Sequence, residues 1–256
     1  MFELESLYTS GKRPVVTAHR GFSGKFPENT IPAFEAAYKI GADIVEFDVR
    51  ETSDGKLIIM HDTSVDRTTN GSGEVSELEF DYIRTLNASY WTGTHDTGKR
   101  LEDPTHDFLQ VPTFREVLEF LDNKEVGINI QVYINSEKAL KEICDLYVEF
   151  NLFKRAFLMI STFAQAEEVK AINSSIEVCV GEERDNLKRH KDFGSKIIQP
   201  WRDFVTPEFC EEISKLGFWA NMFYSNTQEE NEKYLSYGIQ GILTDRPDLL
   251  VKNNKN

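Results

Sequence analysis

The fold is decided by residues 43–62, Asp43-Ile44-Val45-Glu46-Phe47-Asp48-Val49-Arg50-Glu51-Thr52-Ser53-Asp54-Gly55-Lys56-Leu57-Ile58-Ile59-Met60-His61-Asp62. The first eight residues alternate, as a strand with two distinct faces must. Val45, Phe47 and Val49 share one face; Ile44, Glu46, Asp48 and Arg50 share the other. Glu46 and Asp48 then stand about 7 Å apart along the backbone, close enough to converge on one hard cation through oxygen ligands. An edge strand with a solvated acidic face would alternate in the same way. The turn sequence Thr52-Ser53-Asp54-Gly55-Lys56 leads straight into Leu57-Ile58-Ile59-Met60. So short a link forces an antiparallel return, because a parallel crossover needs about a dozen residues or more. The hairpin is expected to bring His61 back beside the start of the first strand, its reach to Glu46 or Asp48 set by how far the strand ends bend.

Outside the hairpin, strand and helix signals alternate. Strands are expected at Val15–Ala18, Gly127–Tyr133, Ala156–Ser161, Ile176–Val180, Lys196–Pro200, Phe218–Phe223 and Gly241–Thr244. Helices are expected between them: Ile31–Ile40 capped by Asn29 or Thr30, Pro112 to Leu121, Ser136–Phe150, Ala164–Ile172, a weak one at Arg184–His190, Pro207–Leu216, one capped by Thr227, and a last one opened by Asp245-Arg246-Pro247. With the Glu46 strand this gives eight parallel strands, and a chain of 256 residues is ordinary for an α/β barrel. The expected fold is a (β/α)8 TIM barrel, one domain over residues 1–256, with a polar insertion at 63–110 after the second histidine. A doubly wound open sheet is the alternative. It is weakened by the lack of a glycine-rich nucleotide fingerprint after the first strand.

The net charge of −14 argues against a nucleic-acid partner or an anionic membrane surface. No apolar run is long enough to span a membrane, and the N-terminus lacks the pattern of a secretory signal, so a cytoplasmic protein without membrane insertion is expected. Cys144, Cys179 and Cys210 are odd in number and lack metal-ligand spacing, which fits buried reduced thiols. His95, His106 and His190 are read as solvated and outside the chemistry.

In a barrel, chemistry belongs at the C-terminal ends of the parallel strands. His19-Arg20 falls there, with the Glu46/Asp48 pair and His61-Asp62 close by in sequence. Two imidazoles titrating near neutrality can remove and supply protons, while a cation and an arginine stabilise charge developing on a phosphoryl oxygen.

The runs His19-Arg20-Gly21, Pro27-Glu28-Asn29-Thr30, Glu46-Phe47-Asp48-Val49, Asp54-Gly55 and His61-Asp62, then Val111-Pro112-Thr113 and Gly241-Ile242-Leu243-Thr244-Asp245, occur in an order and spacing that resembles the glycerophosphodiester phosphodiesterase family. The resemblance spans nearly the whole chain. It implies a TIM barrel, a small insertion after the second histidine and a divalent cation, Mg²⁺ or Ca²⁺, at the mouth. It also implies that His19 and His61 act as general base and general acid, that Glu46 and Asp48 hold the cation, and that Arg20 contacts the phosphate. One departure stands out. Where the family usually carries Asn-Ile-Glu-Ile/Leu-Lys, this chain reads Asn129-Ile130-Gln131-Val132-Tyr133. Gln131 would be an uncharged third metal ligand and Tyr133 a substrate-facing residue. Trp219, and with it Trp201, is a further candidate for the substrate pocket, with packing against the insertion as the alternative role for either. The implied activity is metal-dependent hydrolysis of a small-molecule glycerophosphodiester to glycerol 3-phosphate and an alcohol. Gln131 and Tyr133 leave two alternatives: a non-catalytic or substrate-shifted phosphodiester or phosphosugar-binding barrel, or a lyase that stops at a cyclic phosphate.

Overall fold

The computed structural model describes residues 2–11, 14–93, 99–134 and 136–251. In chain order the elements are α1 Leu4–Thr9, β1 Val15–Ala18, α2 Ile31–Ile40, β2 Ile44–Glu51, β3 Leu57–Ile59, α3 Phe80–Ile83, α4 Phe114–Leu121, β4 Gly127–Tyr133, α5 Glu137–Glu149, β5 Ala156–Ile160, α6 Phe163–Ile172, β6 Val178–Val180, α7 Leu187–Phe193, β7 Ile197–Ile198, α8 Pro207–Leu216, β8 Trp219–Phe223, α9 Gln228–Ser236, β9 Gly241–Thr244 and α10 Pro247–Val251. Local sequence sets many helix starts. Thr113 and Glu116 form a reciprocal capping box on α4, and the side chains of Ser136, Thr162, Asn186, Thr206 and Thr227 accept amide protons at the starts of α5 to α9.

The parallel strands follow the order β6-β5-β4-β2-β1-β9-β8-β7, and β6 meets β7, so the sheet curls into a nearly closed barrel of eight strands. Among the strands of the described residues only β3 runs antiparallel, on β2. The (β/α)8 expectation therefore holds. The hairpin register differs from expectation. The Thr52–Lys56 turn pairs Val49–Glu51 with Leu57–Ile59, and Met60 N donates to Asp48 O at 2.9 Å. The chain then leaves the sheet, so His61 emerges beside the C-terminal half of β2, not beside its start.

Interior and exterior cores separate by strand face. Val45, Phe47 and Val49 point outward into a core shared with α2 and α4, where Phe34, Phe47 and Phe114 pack ring on ring. A second outer cluster joins Val16, Met222 and Ile242 to α8 through Ile213 and to α10 through Leu250. On the inward face, Val15, Ile44, Phe157 and Ile197 form an apolar floor. Helix α1, which the sequence pattern did not reveal, plugs this floor with Leu4 and Tyr8. With the bottom filled by apolar side chains, polar inward residues can gather only toward the opposite rim. Within residues 63–110, Val65, Val75, Ile83, Leu86 and Ala88 make their own small core against Ile58 and Met60, which anchors the segment to the hairpin. The three cysteines are buried and unbridged, and among the described residues no helix is long and apolar enough to cross a membrane.

Candidate active site

Strand β1 ends at Ala18, and the chain then bends over the rim. Both flanking strands hold the bend: His19 N donates to Thr244 O (2.9 Å) and Gly21 N to Glu46 O (3.2 Å). Gly21 is required there. Its φ is +78°, and a Cβ would fall 2.6 Å from the Ala33 carbonyl carbon. Arg20 also has positive φ, 53°, a conformation that costs a non-glycine residue about 1–2 kcal/mol. Its backbone N–H donates to Glu46 Oε2 at 2.6 Å and its Nη1 donates to Glu28 Oε1 at 3.0 Å, which fixes that conformation.

The same bend presents His19, only 4% exposed, on the rim. Its Nδ1 lies 2.6 Å from Asp245 Oδ1 at the end of β9. Asp245 is itself clamped by Ser23 Oγ (3.0 Å) and Asn226 Nδ2 (2.6 Å). Burial would raise the Asp245 carboxyl, but the His19 charge and these hydrogen bonds outweigh it and hold it below the usual range. With Nδ1 engaged, Nε2 is the nitrogen left to exchange a proton.

Glu46 and Asp48 point inward from β2 and are fully buried. Asn29, at φ 58°, donates Nδ2–H to Asp48 Oδ2 (2.8 Å) and accepts from Asp48 N (3.2 Å), which accounts for the Pro27–Thr30 run. Arg20 Nε stands 3.4 Å from Asp48 Oδ2. One oxygen of each carboxylate, Glu46 Oε1 and Asp48 Oδ1, is buried and accepts no hydrogen bond among the described residues. Burial first, and the Asp48 carboxylate second, hold the Glu46 proton well above the usual carboxylate range against the opposing charge of Arg20. On β4, Asn129 lies in register with Glu46 and Gln131 with Asp48. The Gln131 amide nitrogen is engaged by the Tyr133 hydroxyl, so the amide oxygen is its possible ligating atom. Among the described residues no three His, Cys, Asp or Glu side chains cluster as a metal site. Two orphaned carboxylate oxygens and a neighbouring amide nonetheless form a hard-oxygen donor set that suits Mg²⁺ or Ca²⁺.

His61 follows the same pattern as His19. Its Nδ1 is 2.8 Å from Asp62 Oδ1, and Arg67 grips Asp62 through Nε (2.8 Å) and Nη2 (3.0 Å). Burial would raise the Asp62 carboxyl; the hydrogen bonds from His61 and Arg67 overcome it and hold it far below the usual range. Arg67 also forks onto Glu28, at 2.7 Å to each oxygen, and Glu28 accepts from Arg20. A continuous chain of charge-assisted hydrogen bonds thus links the second imidazole to the loop that carries the first.

A cavity of about 440 Å³ opens at the C-terminal rim, lined by His61, Gln131, Tyr133, Arg184, Trp201 and Phe223 among others. His61 lines it directly and packs edge-to-face on Tyr133 at 5.7 Å. His19 does not line it but packs edge-to-face, at 5.5 Å, on Phe223, which does. His19, Arg20, Glu46, Asp48, His61, Gln131 and Tyr133 are therefore brought to one rim. Trp219 is not. It is the first residue of β8 and stacks on Tyr8 of the floor helix, centroids 5.6 Å apart, at the other end of the barrel. The substrate-pocket assignment for Trp219 is thereby corrected, and Trp201 lines the cavity instead.

His190, expected to be solvated, is fully buried, bonded to Glu183 O at 3.0 Å and packed on Phe163. His106 is half-buried against Thr105, and His95 lies outside the described residues. Sequence reasoning missed the carboxylates behind the imidazoles, Asp245 and Asp62, as partners, and the Glu28–Arg67 pair. Thr244-Asp245, Glu28 and His61-Asp62 stand out in the sequence as motifs, but local pattern gives them no geometric role. Sequence reasoning gave no role to Arg184.

Residues 19–178 match the model of the glycerophosphoryl diester phosphodiesterase family. A glycerophosphodiester phosphodiesterase from Caldanaerobacter subterraneus subsp. tengcongensis is 30% identical over 251 residues, covering 93% of this chain and 97% of the relative. Among solved structures, a phosphodiesterase from Oleispira antarctica in complex with the product sn-glycerol-3-phosphate superposes with a TM-score of 0.78 at 23% identity, covering 97% and 98% of the two chains. A glycerophosphodiester phosphodiesterase from Agrobacterium tumefaciens gives 0.76 at 24% identity, covering 93% and 99%. At these identities the structures show the shared fold alone.

Proposed function

Because the chain belongs to the glycerophosphoryl diester phosphodiesterase family, we propose that it is a phosphoric diester hydrolase that releases glycerol 3-phosphate and an alcohol from glycerophosphodiesters, with His19 and His61 as its acid/base pair. One observation carries the assignment of roles: two imidazoles, each held through Nδ1 by its own buried or half-buried carboxylate, stand at one rim, His61 lining the cavity there and His19 packed on its Phe223 wall. That arrangement offers two Nε2 atoms, one to take a proton from the attacking hydroxyl and one to give a proton to the departing alkoxide. Asp245 and Asp62 fix the ring tautomers and stabilise each ring as it gains charge. Arg20, locked between Glu28 and Asp48, contributes positive potential beneath the phosphate.

A divalent cation fits the orphaned oxygens of Glu46 and Asp48, with the Gln131 amide as a third, neutral donor. When bound it supplies positive charge against the phosphoryl oxygens as negative charge gathers there. It would also relieve the like-charge burial that holds the Glu46 proton. The test is a panel of glycerophosphodiesters incubated with the protein and Mg²⁺ or Ca²⁺, with and without a chelator, scored for glycerol 3-phosphate. Cyclic phosphate as the sole product would favour a lyase.

Gln131 supports a second reading, in which a weak cation site binds phosphodiesters without turnover. Gln131→Glu separates the two. A third carboxylate should tighten Mg²⁺ or Ca²⁺ binding about tenfold or more by calorimetry, and turnover at limiting cation should rise with it. Unchanged cation affinity would remove Gln131 from the ligand set.

A further inference from the structure

The cavity holds a cation that the proton-transfer scheme does not use. Arg184 lies in the loop between β6 and α7, and its guanidinium lines the same cavity as His61, Tyr133 and Trp201. Two backbone carbonyls orient it: Nε donates to Gly181 O (3.2 Å) and Nη1 to Gln199 O (3.1 Å). It lies 4.1 Å from the Trp201 ring centroid and 5.7 Å from that of Phe223. Among the described residues no carboxylate pairs with it, in contrast to Arg20 and Arg67, which are both committed to acids. Burial is the main influence on its proton affinity and lowers it. A half-buried, oriented and uncompensated guanidinium at a cavity wall is an anion site awaiting its anion.

Its position indicates which anion. In the strand order, β6 lies across the barrel from β1, and β7 across from β2. The acid pair, Arg20 and His19 occupy the β1–β2 wall, so the phosphate is handled there. Arg184 faces the far end of a bound diester. It also covers the aromatic faces of Trp201 and Phe223 that a quaternary ammonium would need. On the basis of the hydrolase function proposed above, we propose that Arg184 forms a subsite for an anionic group on the leaving alcohol, so that the enzyme favours glycerophosphodiesters whose alcohol bears a carboxylate or phosphate.

The test compares two substrates that differ only in one carboxylate, sn-glycero-3-phospho-L-serine and sn-glycero-3-phosphoethanolamine. The wild-type ratio of kcat/KM, serine ester over ethanolamine ester, should be about tenfold or more. It should fall to about one in Arg184→Gln and to an intermediate value in Arg184→Lys, which keeps charge but not the planar fork. The ratio is insensitive to a general loss of folded enzyme. A wild-type ratio of one or below, or an equal loss on both esters in Arg184→Gln, would overturn the subsite. If the wild type cleaves neither ester, the hydrolase reading fails. Calorimetry with O-phospho-L-serine and phosphoethanolamine then still reads Arg184: a preference for phosphoserine that vanishes in Arg184→Gln upholds the subsite, and equal binding refutes it.

Discussion

His19→Ala should lower turnover of a glycerophosphodiester by about three to four orders of magnitude, the upper part of the range for loss of a positioned acid or base. The ring sits at the rim, 4% exposed, with Nδ1 tied to Asp245 and one flank against Phe223. The fall should not come from unfolding. Asp245 keeps Ser23 and Asn226 as donors, and His19 N still pairs with Thr244 O. The melting temperature should therefore stay close to that of the wild type, and added imidazole should restore part of the rate. Undiminished turnover in the folded variant would reject His19 as a catalytic residue.

Glu46→Gln has the second-largest expected effect. The substitution keeps shape and leaves an amide oxygen to accept from Arg20 N, the contact that Glu46 Oε2 makes at 2.6 Å. It removes one of two carboxyl groups that are fully buried side by side and that a cation would draw into their charged forms. If those groups exist to hold a cation, Mg²⁺ or Ca²⁺ binding should fall by about two orders of magnitude in calorimetry, and turnover at low cation by about three. Thermal stability should be unchanged or higher without cation, because the amide is neutral and carries no charge to desolvate beside Asp48. A variant with unaltered cation binding and full activity would show that the pair is structural.

Much of this was legible from local pattern. β1, β4, α8 and β9 begin and end where alternation, caps and proline placed them, and α2 begins after Thr30 as expected. The two-residue period put Glu46 and Asp48 on one inward face, and strand ends put His19 and Glu46 near one rim. The remainder depended on contacts that no local pattern encodes. Glu28 meets Arg67 across 39 positions and Asp245 meets His19 across 226. Helix α1 is only six residues long, too short for a periodic signal, and acquires its role by plugging the barrel floor. Trp219 was misplaced because the period gives the face of a strand and not its end; its place at the start of β8 was the available signal. Arg184 was read into a helix. Asn186 caps α7 two residues later, which leaves Arg184 in a rim loop and sends its side chain to the cavity. His190 sits on a polar helix whose inner face, His190 and Phe193, packs against Phe163 of α6, a partner the helix sequence alone does not name.

The claim that everything else rests on is that the two carboxylate-backed imidazoles perform one phosphodiester cleavage at this rim. Phosphorus NMR of sn-glycero-3-phosphoethanolamine with saturating Mg²⁺ or Ca²⁺ tests it most directly, run on the wild type and on the folded His19→Ala/His61→Ala double variant. The account predicts that the diester resonance gives way to that of glycerol 3-phosphate with the wild type and persists with the double variant. Monoester appearing at the same rate in both samples would contradict it.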